Sequence, residues 1–99
     1  MEEPSGVDIR VVTAWDAGEI LSLYRSARWW KEERDYPSEI PGIIQGSFVF
    51  VVATDRETGR AVGMGRAISD GVADAYIQDL AVLPEYRGRG IGRAILRRI

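Results

Sequence analysis

The sequence predicts an α/β fold with a mixed, mostly antiparallel sheet and flanking helices. Three observations carry that expectation. The apolar residues change period along the chain, from strand-like alternation to helical spacing and back. The three middle strand segments are joined by connections too short for a crossover, which favours antiparallel pairing. The chain has 99 residues, 45% hydrophobic and 28% charged, the size and balance of one globular domain spanning residues 1–99.

Residues 1–6 read as a loose terminus. Val7 to Val12 is a first strand, with Val7, Ile9 and Val11 alternating against Asp8 and Arg10. Thr13–Asp16 and Asp16–Glu19 each have the form of a capping box, so a helix is expected to begin near Thr13–Asp16. Ile20, Leu23, Tyr24 and Ala27 give it one apolar face, and it is expected to end near Trp29–Trp30. Lys31 to Pro37 is charged and stopped by proline, hence a loop. Ser38 to Gln45 has room for a short second helix, interrupted by Pro41-Gly42. Phe48 to Ala53 is dense in β-branched and aromatic residues, as in a strand buried on both faces.

Asp55–Gly59 is turn chemistry. A strand over Arg60–Ser69 follows, in which Gly63 and Gly65 mark weakness or close approach by another element. Asp70-Gly71 is a further turn. The next strand covers Ala75–Leu83, Pro84-Glu85-Tyr86 turns the chain, and Gly90–Ile99 is a helix with Ile91, Ile95 and Ile99 on one side. Its pattern still runs at Ile99, without a stop signal. The domain is therefore expected to be incomplete at the C-terminus, cut after this helix. No internal repeat or low-complexity tract is visible.

Composition excludes several chemistries. Without cysteine there is no disulfide framework, thiolate nucleophile or Cys-based metal site. Without histidine there is no Ser-His triad, His-ligated metal or His base. No metal is expected. The net charge of −2 gives no bulk attraction to nucleic acid or membrane. No apolar run approaches the ~20 residues of a membrane span. Met1-Glu2-Glu3-Pro4 is acidic and polar, unlike a signal peptide, so a cytoplasmic location is the default. Of 13 cationic residues only Lys31 is lysine, a bias that genome composition explains as readily as function.

The segment that carries chemistry is Arg87-Gly88-Arg89-Gly90-Ile91-Gly92, between a strand and a helix. Glycines let backbone N–H groups approach a ligand. The first helical turn leaves such groups unpaired, and the helix dipole favours an anion there. Arg87, Arg89 and Arg93 add positive charge. A pyrophosphate fits this arrangement. A Walker A loop does not, because no Gly-Lys-Ser/Thr closes it. A dinucleotide fingerprint read from Gly88 would need glycine where Arg93 stands. An Arg-Gly RNA-binding segment is disfavoured by net acidity and the lack of further repeats. A glycine-rich helix entry with solvated arginines is the plain structural alternative.

From Ile77 through Leu96 the sequence resembles motif A of the GCN5-related N-acetyltransferases. Their signature Gln/Arg-x-x-Gly-x-Gly/Ala is met by Arg87, Gly90 and Gly92. The resemblance is strongest over Ala73–Ile99; the strand with Val62–Arg66 and the first strand–helix unit are similar to the family's N-terminal half. It implies an acyl-CoA N-acyltransferase-like fold and acetyl-CoA as co-substrate. It further implies transfer of the acetyl group to a primary amine of a small molecule or peptide. By resemblance, the pantetheine arm would pair with backbone groups of Leu80, Ala81 and Val82. The pyrophosphate would rest on Arg87, Gly88, Arg89, Gly90, Ile91 and Gly92, reaching Arg93. The Val82 N–H would serve as oxyanion donor.

Many relatives carry a Glu or His base on the inward face of the motif A strand. Simple alternation puts Tyr76, Gln78, Leu80 and Val82 on one face, so Tyr76 and Gln78 occupy the candidate positions. Neither is a good base at neutral pH. Asp79 is expected to point the other way, in a structural role with backbone or an arginine. The tyrosine that often protonates the leaving thiolate, and the strand that completes the pantetheine slot, would lie beyond Ile99. The alternative is therefore a non-catalytic CoA-binding or regulatory module of the same fold. Acceptor selection falls to Tyr24–Ile44. There Trp29 and Trp30 with Glu32, Glu33 and Asp35 could line a pocket for a cationic amine. The plainer reading is a tryptophan capping the core among solvated charges. Pairing of two copies into a homodimer that completes the sheet stays open.

Overall fold

A computed structural model describes residues 4–99. The acidic start at Met1–Glu3, and with it part of the stretch read as a loose terminus, lies outside the described residues. Four strands form one antiparallel sheet in chain order: β1 (Val7–Val11), β2 (Val49–Asp55), β3 (Ala61–Ser69) and β4 (Ala75–Val82). Among the described residues three α-helices flank it: α1 (Ala17–Ser26), α2 (Ile40–Gly46) and α3 (Ile91–Arg98). The expected fold class is the one observed. Among the described residues no helix is long and apolar enough to cross a membrane.

β2 sits inside the sheet, pairing Val7–Val11 on one side and Ala61–Ala67 on the other. Phe50, Val51, Val52 and Ala53 are all buried, because both faces of this strand are covered. Phe48, read as part of the strand, precedes it and is exposed.

Asp16 caps α1, its Oδ1 accepting the Glu19 N–H at 3.0 Å. The reciprocal half of the box is absent. The Glu19 carboxylate instead accepts the Trp15 indole N–H and the Ala61 N–H of β3, tying helix to sheet. α1 ends at Ser26, not at Trp29–Trp30. Arg28 takes the left-handed conformation (φ 63°), with Arg28 N–H on Arg25 O and Trp29 N–H on Tyr24 O. That is a Schellman closure without the usual glycine. Pro41-Gly42 does not interrupt the second helix. Pro37–Glu39 forms one 3₁₀ turn that runs into α2, and Pro41 lies in the first turn of α2, where its missing N–H costs nothing.

α3 packs on one face of the sheet. A Cβ at Gly63 would stand 3.1 Å from Ile95 and 3.2 Å from Ile91; one at Gly65 would stand 2.8 Å from Ile95. These glycines mark close approach by a helix. Tyr24 of α1 and Ser47, just after α2, reach Asp79 and Arg66 on the opposite face.

The alternation expected for the motif A strand is overturned. Met64 pairs with Ala81 but Arg66 pairs with Gln78, so Asp79 and Leu80 together oppose Gly65. This is a β-bulge, and Asp79 within it has φ 57°. The extra residue reverses the facing of everything after it. Leu80 lies against the α3 side, near Gly65. Gln78 and Asp79 share the α1 side, where Arg66 donates to both.

Replacing Gly65 with alanine forces its Cβ against Ile95 Cγ2, a β-branched side chain with little freedom to yield. The expected loss is about 1–3 kcal/mol, read as a Tm lowered by several degrees in thermal unfolding. An unchanged Tm would show that α3 is not held by this contact.

Candidate functional site

A cleft of about 440 Å³ opens between β4 and the head of α3. Ala27, Trp29, Leu80, Ala81, Val82, Tyr86, Arg87, Gly88, Gly90, Ile91 and Gly92 line it. Its floor is apolar and its rim is backbone. Gly88 (φ 79°) and Gly90 (φ 82°) are both left-handed, and Gly90 is the N-cap of α3. The N–H groups of Gly88, Arg89, Gly90, Ile91, Gly92 and Arg93 find no acceptor among the described residues. Those of Tyr86 and Arg87, just before, close a 3₁₀ turn onto Leu83 O and Pro84 O. An uninterrupted run of free donors at a helix N-terminus is an anion cradle.

The guanidiniums around the cradle turn back on the protein. Arg87 Nε donates to Val82 O at 3.0 Å. Arg89 lies 5.1 Å over the Tyr86 ring and donates to Glu85 O at 3.3 Å. Arg93 is exposed on α3. The loop is latched from below: the Tyr86 hydroxyl donates to Asp55 Oδ2 at 2.6 Å. Asp55 Oδ1 accepts the Glu57 N–H at 2.8 Å, which fixes the β2–β3 turn as well. The Tyr86 bond, then the Glu57 N–H, hold the Asp55 carboxyl below its ordinary range, and Asp55 in turn raises the Tyr86 hydroxyl.

β4 is one of the two edges of the described sheet. Leu83 N–H turns inward to Val62 O, so alternation points the N–H and C=O of Val82 outward, toward the cleft. Leu80 and Ala81 complete this wall.

A second cavity of about 280 Å³ lies on the α1 side, lined by Tyr24, Trp29, Trp30, Arg34, Asp35, Ile43, Arg66 and Asp79. Trp29 belongs to both cavities, placed there by the left-handed turn at Arg28. Trp30 packs on Tyr24, ring centroids 5.9 Å apart, and its buried indole N–H has no acceptor among the described residues. Asp79 Oδ2 accepts from Tyr24 Oη at 2.8 Å and Arg66 Nε at 2.6 Å. Burial, then the bond to Asp79, push the Tyr24 hydroxyl well above its ordinary value, so it stays a donor.

The structure thus gathers Leu80, Ala81, Val82, Arg87, Gly88, Gly90, Ile91 and Gly92 around one cleft. Tyr76 and Gln78 are exposed on β4 and line neither cavity. Trp29, Trp30 and Asp35 line the second cavity, whereas Glu32 forms an exposed ion pair with Arg25. Asp35 is held below its ordinary range by Arg34 and the Lys31 N–H. The arginine expected to pair with Asp79 is Arg66, although Asp79 shares the face of Gln78 and does not point the other way. Sequence reasoning missed the bond from Tyr24 to Asp79. It also missed Tyr86, whose hydroxyl partner is 31 residues away. No periodicity could have revealed either long-range bond. Among the described residues no group of three or more His, Cys, Asp or Glu could hold a metal ion.

Comparison with known proteins converges on one group. The profile of the acetyltransferase (GNAT) family matches residues 14–99. "GCN5-related N-acetyltransferase 3, chloroplastic" of Arabidopsis thaliana is 33% identical over 99 residues, 98% of this chain and 39% of that protein. "Serotonin N-acetyltransferase 2, chloroplastic" of Oryza sativa subsp. japonica is 44% identical over 41 residues, 41% of this chain and 20% of that protein. Among solved structures, a GNAT family acetyltransferase from Streptococcus pneumoniae TIGR4 superimposes with TM-score 0.75 at 27% identity. It covers 93% of this chain and 64% of that one. N-acetylglutamate synthase from Neisseria gonorrhoeae, solved with coenzyme A and L-arginine, gives TM-score 0.69 at 25% identity over 93% of this chain and 20% of that one. The chain spans 16% to 39% of the length of four curated relatives that it matches.

If the Tyr86–Asp55 bond latches the cradle, Tyr86→Phe should speed amide hydrogen exchange selectively at Tyr86 and Arg87, whose N–H groups close the 3₁₀ turn. Global Tm should shift little, since one partly exposed hydrogen bond contributes about 1 kcal/mol. Uniform exchange in both proteins would show that the loop is held by other contacts.

Proposed function

The chain belongs to the acetyltransferase (GNAT) family, and from that premise we propose that it binds acetyl-CoA and transfers its acetyl group to a primary amine of a small molecule or peptide. The observation that carries this reading is the run of unpaired N–H groups from Gly88 to Arg93 at the head of α3. Members of this family typically use acetyl-CoA. The cleft suits that ligand: a pyrophosphate meets main-chain donors, and the amides of the pantetheine arm meet the backbone wall at Leu80, Ala81 and Val82. A Cβ added at Gly88 or Gly90 would meet nothing within 4 Å, so the space beside the cradle is open.

The chemistry needs three things from the protein. The thioester must be held against the amine, the developing oxyanion needs a donor, and the amine must be uncharged when it attacks. Val82 N–H, turned outward at the edge of β4, is the oxyanion donor in this reading. The second cavity takes the acceptor, and Trp29 forms the shared wall where the two substrates meet. Aromatic faces at Trp29 and Trp30 favour a cationic amine.

One observation favours a second reading, a CoA-binding module without catalysis. Tyr76 is 65% exposed and Gln78 is an amide, so the positions where many relatives hold a base supply none.

Calorimetric titration tests the first part. Acetyl-CoA should bind, and NADH and ATP should not. Replacing Gly90 with valine places a β-branched residue in a left-handed conformation, costing about 1–2 kcal/mol. Acetyl-CoA affinity should fall roughly tenfold or more while the circular dichroism spectrum holds; undiminished affinity would put the anion site elsewhere. Amine-dependent release of free thiol, measured over a broad amine panel, separates enzyme from module. Thiol release supports acyl transfer, and silence across the panel with acetyl-CoA bound supports the module.

A further inference from the structure

We infer that Asp79 is the group that takes the proton from the acceptor's ammonium. The inference rests on the acetyltransferase reading above and assigns the base that Tyr76 and Gln78 cannot supply.

Four observations converge on Asp79. It is a non-glycine residue at φ 57°, within a bulge. Strained backbone of this kind persists where the surroundings over-determine it, and it clusters at working sites. The bulge carries its carboxylate onto the α1 side, into the wall of the second cavity. The adjacent residue, Leu80, lines the first cavity, so Asp79 stands where the two spaces adjoin. Lastly, its two oxygens are used unequally. Oδ2 accepts Tyr24 Oη and Arg66 Nε, while Oδ1 accepts nothing among the described residues. Asp35, the other carboxylate lining this cavity, has both oxygens engaged by Arg34 and the second also by the Lys31 N–H.

The division of labour follows. Tyr24 and Arg66 are positioning residues that clamp Oδ2 and fix the plane of the carboxylate. Oδ1 is left to accept an N–H from the acceptor. The ammonium gives its proton to Asp79, and the freed nitrogen lone pair attacks the acetyl carbonyl carbon. A C–N bond forms and the carbonyl π electrons move to oxygen. When they return, the C–S bond breaks and its electron pair leaves on sulfur. The second amine proton neutralises the thiolate, and Asp79 returns its proton to solvent. One ammonium and one thioester become one amide, one thiol and one released proton.

Asp79→Asn is the test. Asparagine tolerates the left-handed conformation, and its side-chain oxygen still accepts from Tyr24 and Arg66, so the bulge should survive. Turnover of the best amine should fall about 100-fold or more, with acetyl-CoA affinity within about twofold of wild type by calorimetry. The deficit should shrink as pH rises, because free amine then replaces the missing proton acceptor. The groups facing Asp79 through this titration are Tyr24 from α1, Arg66 from β3, Arg34 and Asp35 from the α1–α2 connection, and Gln78 beside it. A deficit independent of pH would mark Asp79 as structural and overturn the inference, as would wild-type turnover. Should Asp79→Asn fail to bind acetyl-CoA, Tyr24→Phe decides. Losing one clamp should lower turnover by about three- to tenfold with acetyl-CoA affinity unchanged, and undiminished turnover overturns the assignment. A wild-type protein that binds acetyl-CoA yet releases no thiol with any amine overturns the enzyme reading itself, and this inference with it.

Discussion

Ile91 and Ile95 reach the backbone of β3 because Gly63 and Gly65 put no side chain in their way. The exchange is favourable. A glycine inside a strand costs about 0.5–1 kcal/mol, whereas fully burying an isoleucine is worth about 1.5–3 kcal/mol, and both isoleucines are buried. The contact sets the distance between α3 and the sheet, and with it the place where the first turn of α3 begins. Had larger residues stood at 63 and 65, the helix would ride higher and its free N–H groups would no longer converge on the cleft beside β4. The two left-handed glycines at 88 and 90 then only have to bring the chain from the end of β4 to a position already fixed. The Tyr86–Asp55 bond and the stacked Arg89 keep that short path from wandering.

The second organising feature is the extra residue in β4. A left-handed Asp79 costs about 1–2 kcal/mol, and aspartate is one of the few residues for which the cost is tolerable. Hydrogen bonds to a charged group contribute about 1.5–3 kcal/mol each, so the bonds from Tyr24 and Arg66 are sufficient to hold it. The bulge also bends β4 away from a straight path, just before its outward peptide groups at Val82, the ones proposed to meet the co-substrate. A single irregularity thereby shapes the edge of the sheet and brings a carboxylate to the boundary between the two cavities.

Much of this was legible in the chain of letters. Strand and helix periods gave the element order, the glycines of β3 announced a close neighbour, and the run from Ile77 to Leu96 carried the family resemblance. What stayed hidden has physical causes. Alternation along β4 fails after Gln78 because a bulge depends on its partner strand as much as on its own residues. The end of α1 was misplaced because Arg28 adopts a conformation that usually belongs to glycine. Pro41 reads as a breaker unless its place in the first turn of α2 is known. The bonds Tyr24–Asp79 and Tyr86–Asp55 join residues 55 and 31 positions apart, and no local pattern encodes such a pairing.

The arginines of the cradle, by contrast, were given more weight by the sequence than by the folded chain. Arg87 and Arg89 spend their guanidiniums on carbonyls of the protein itself, and the ligand-facing surface is made of peptide groups. A surface of that kind has an unusual evolutionary property. Every residue type except proline carries the same N–H, so drift at position 93, whose arginine is exposed on α3, can rewrite the side chain while that donor is inherited intact. The glycines, which encode a path and not a contact, resist that drift, and so do Arg87 and Arg89, whose side chains fasten the loop. A chain built this way can therefore change the charge around its first helical turn while keeping the same run of free backbone donors.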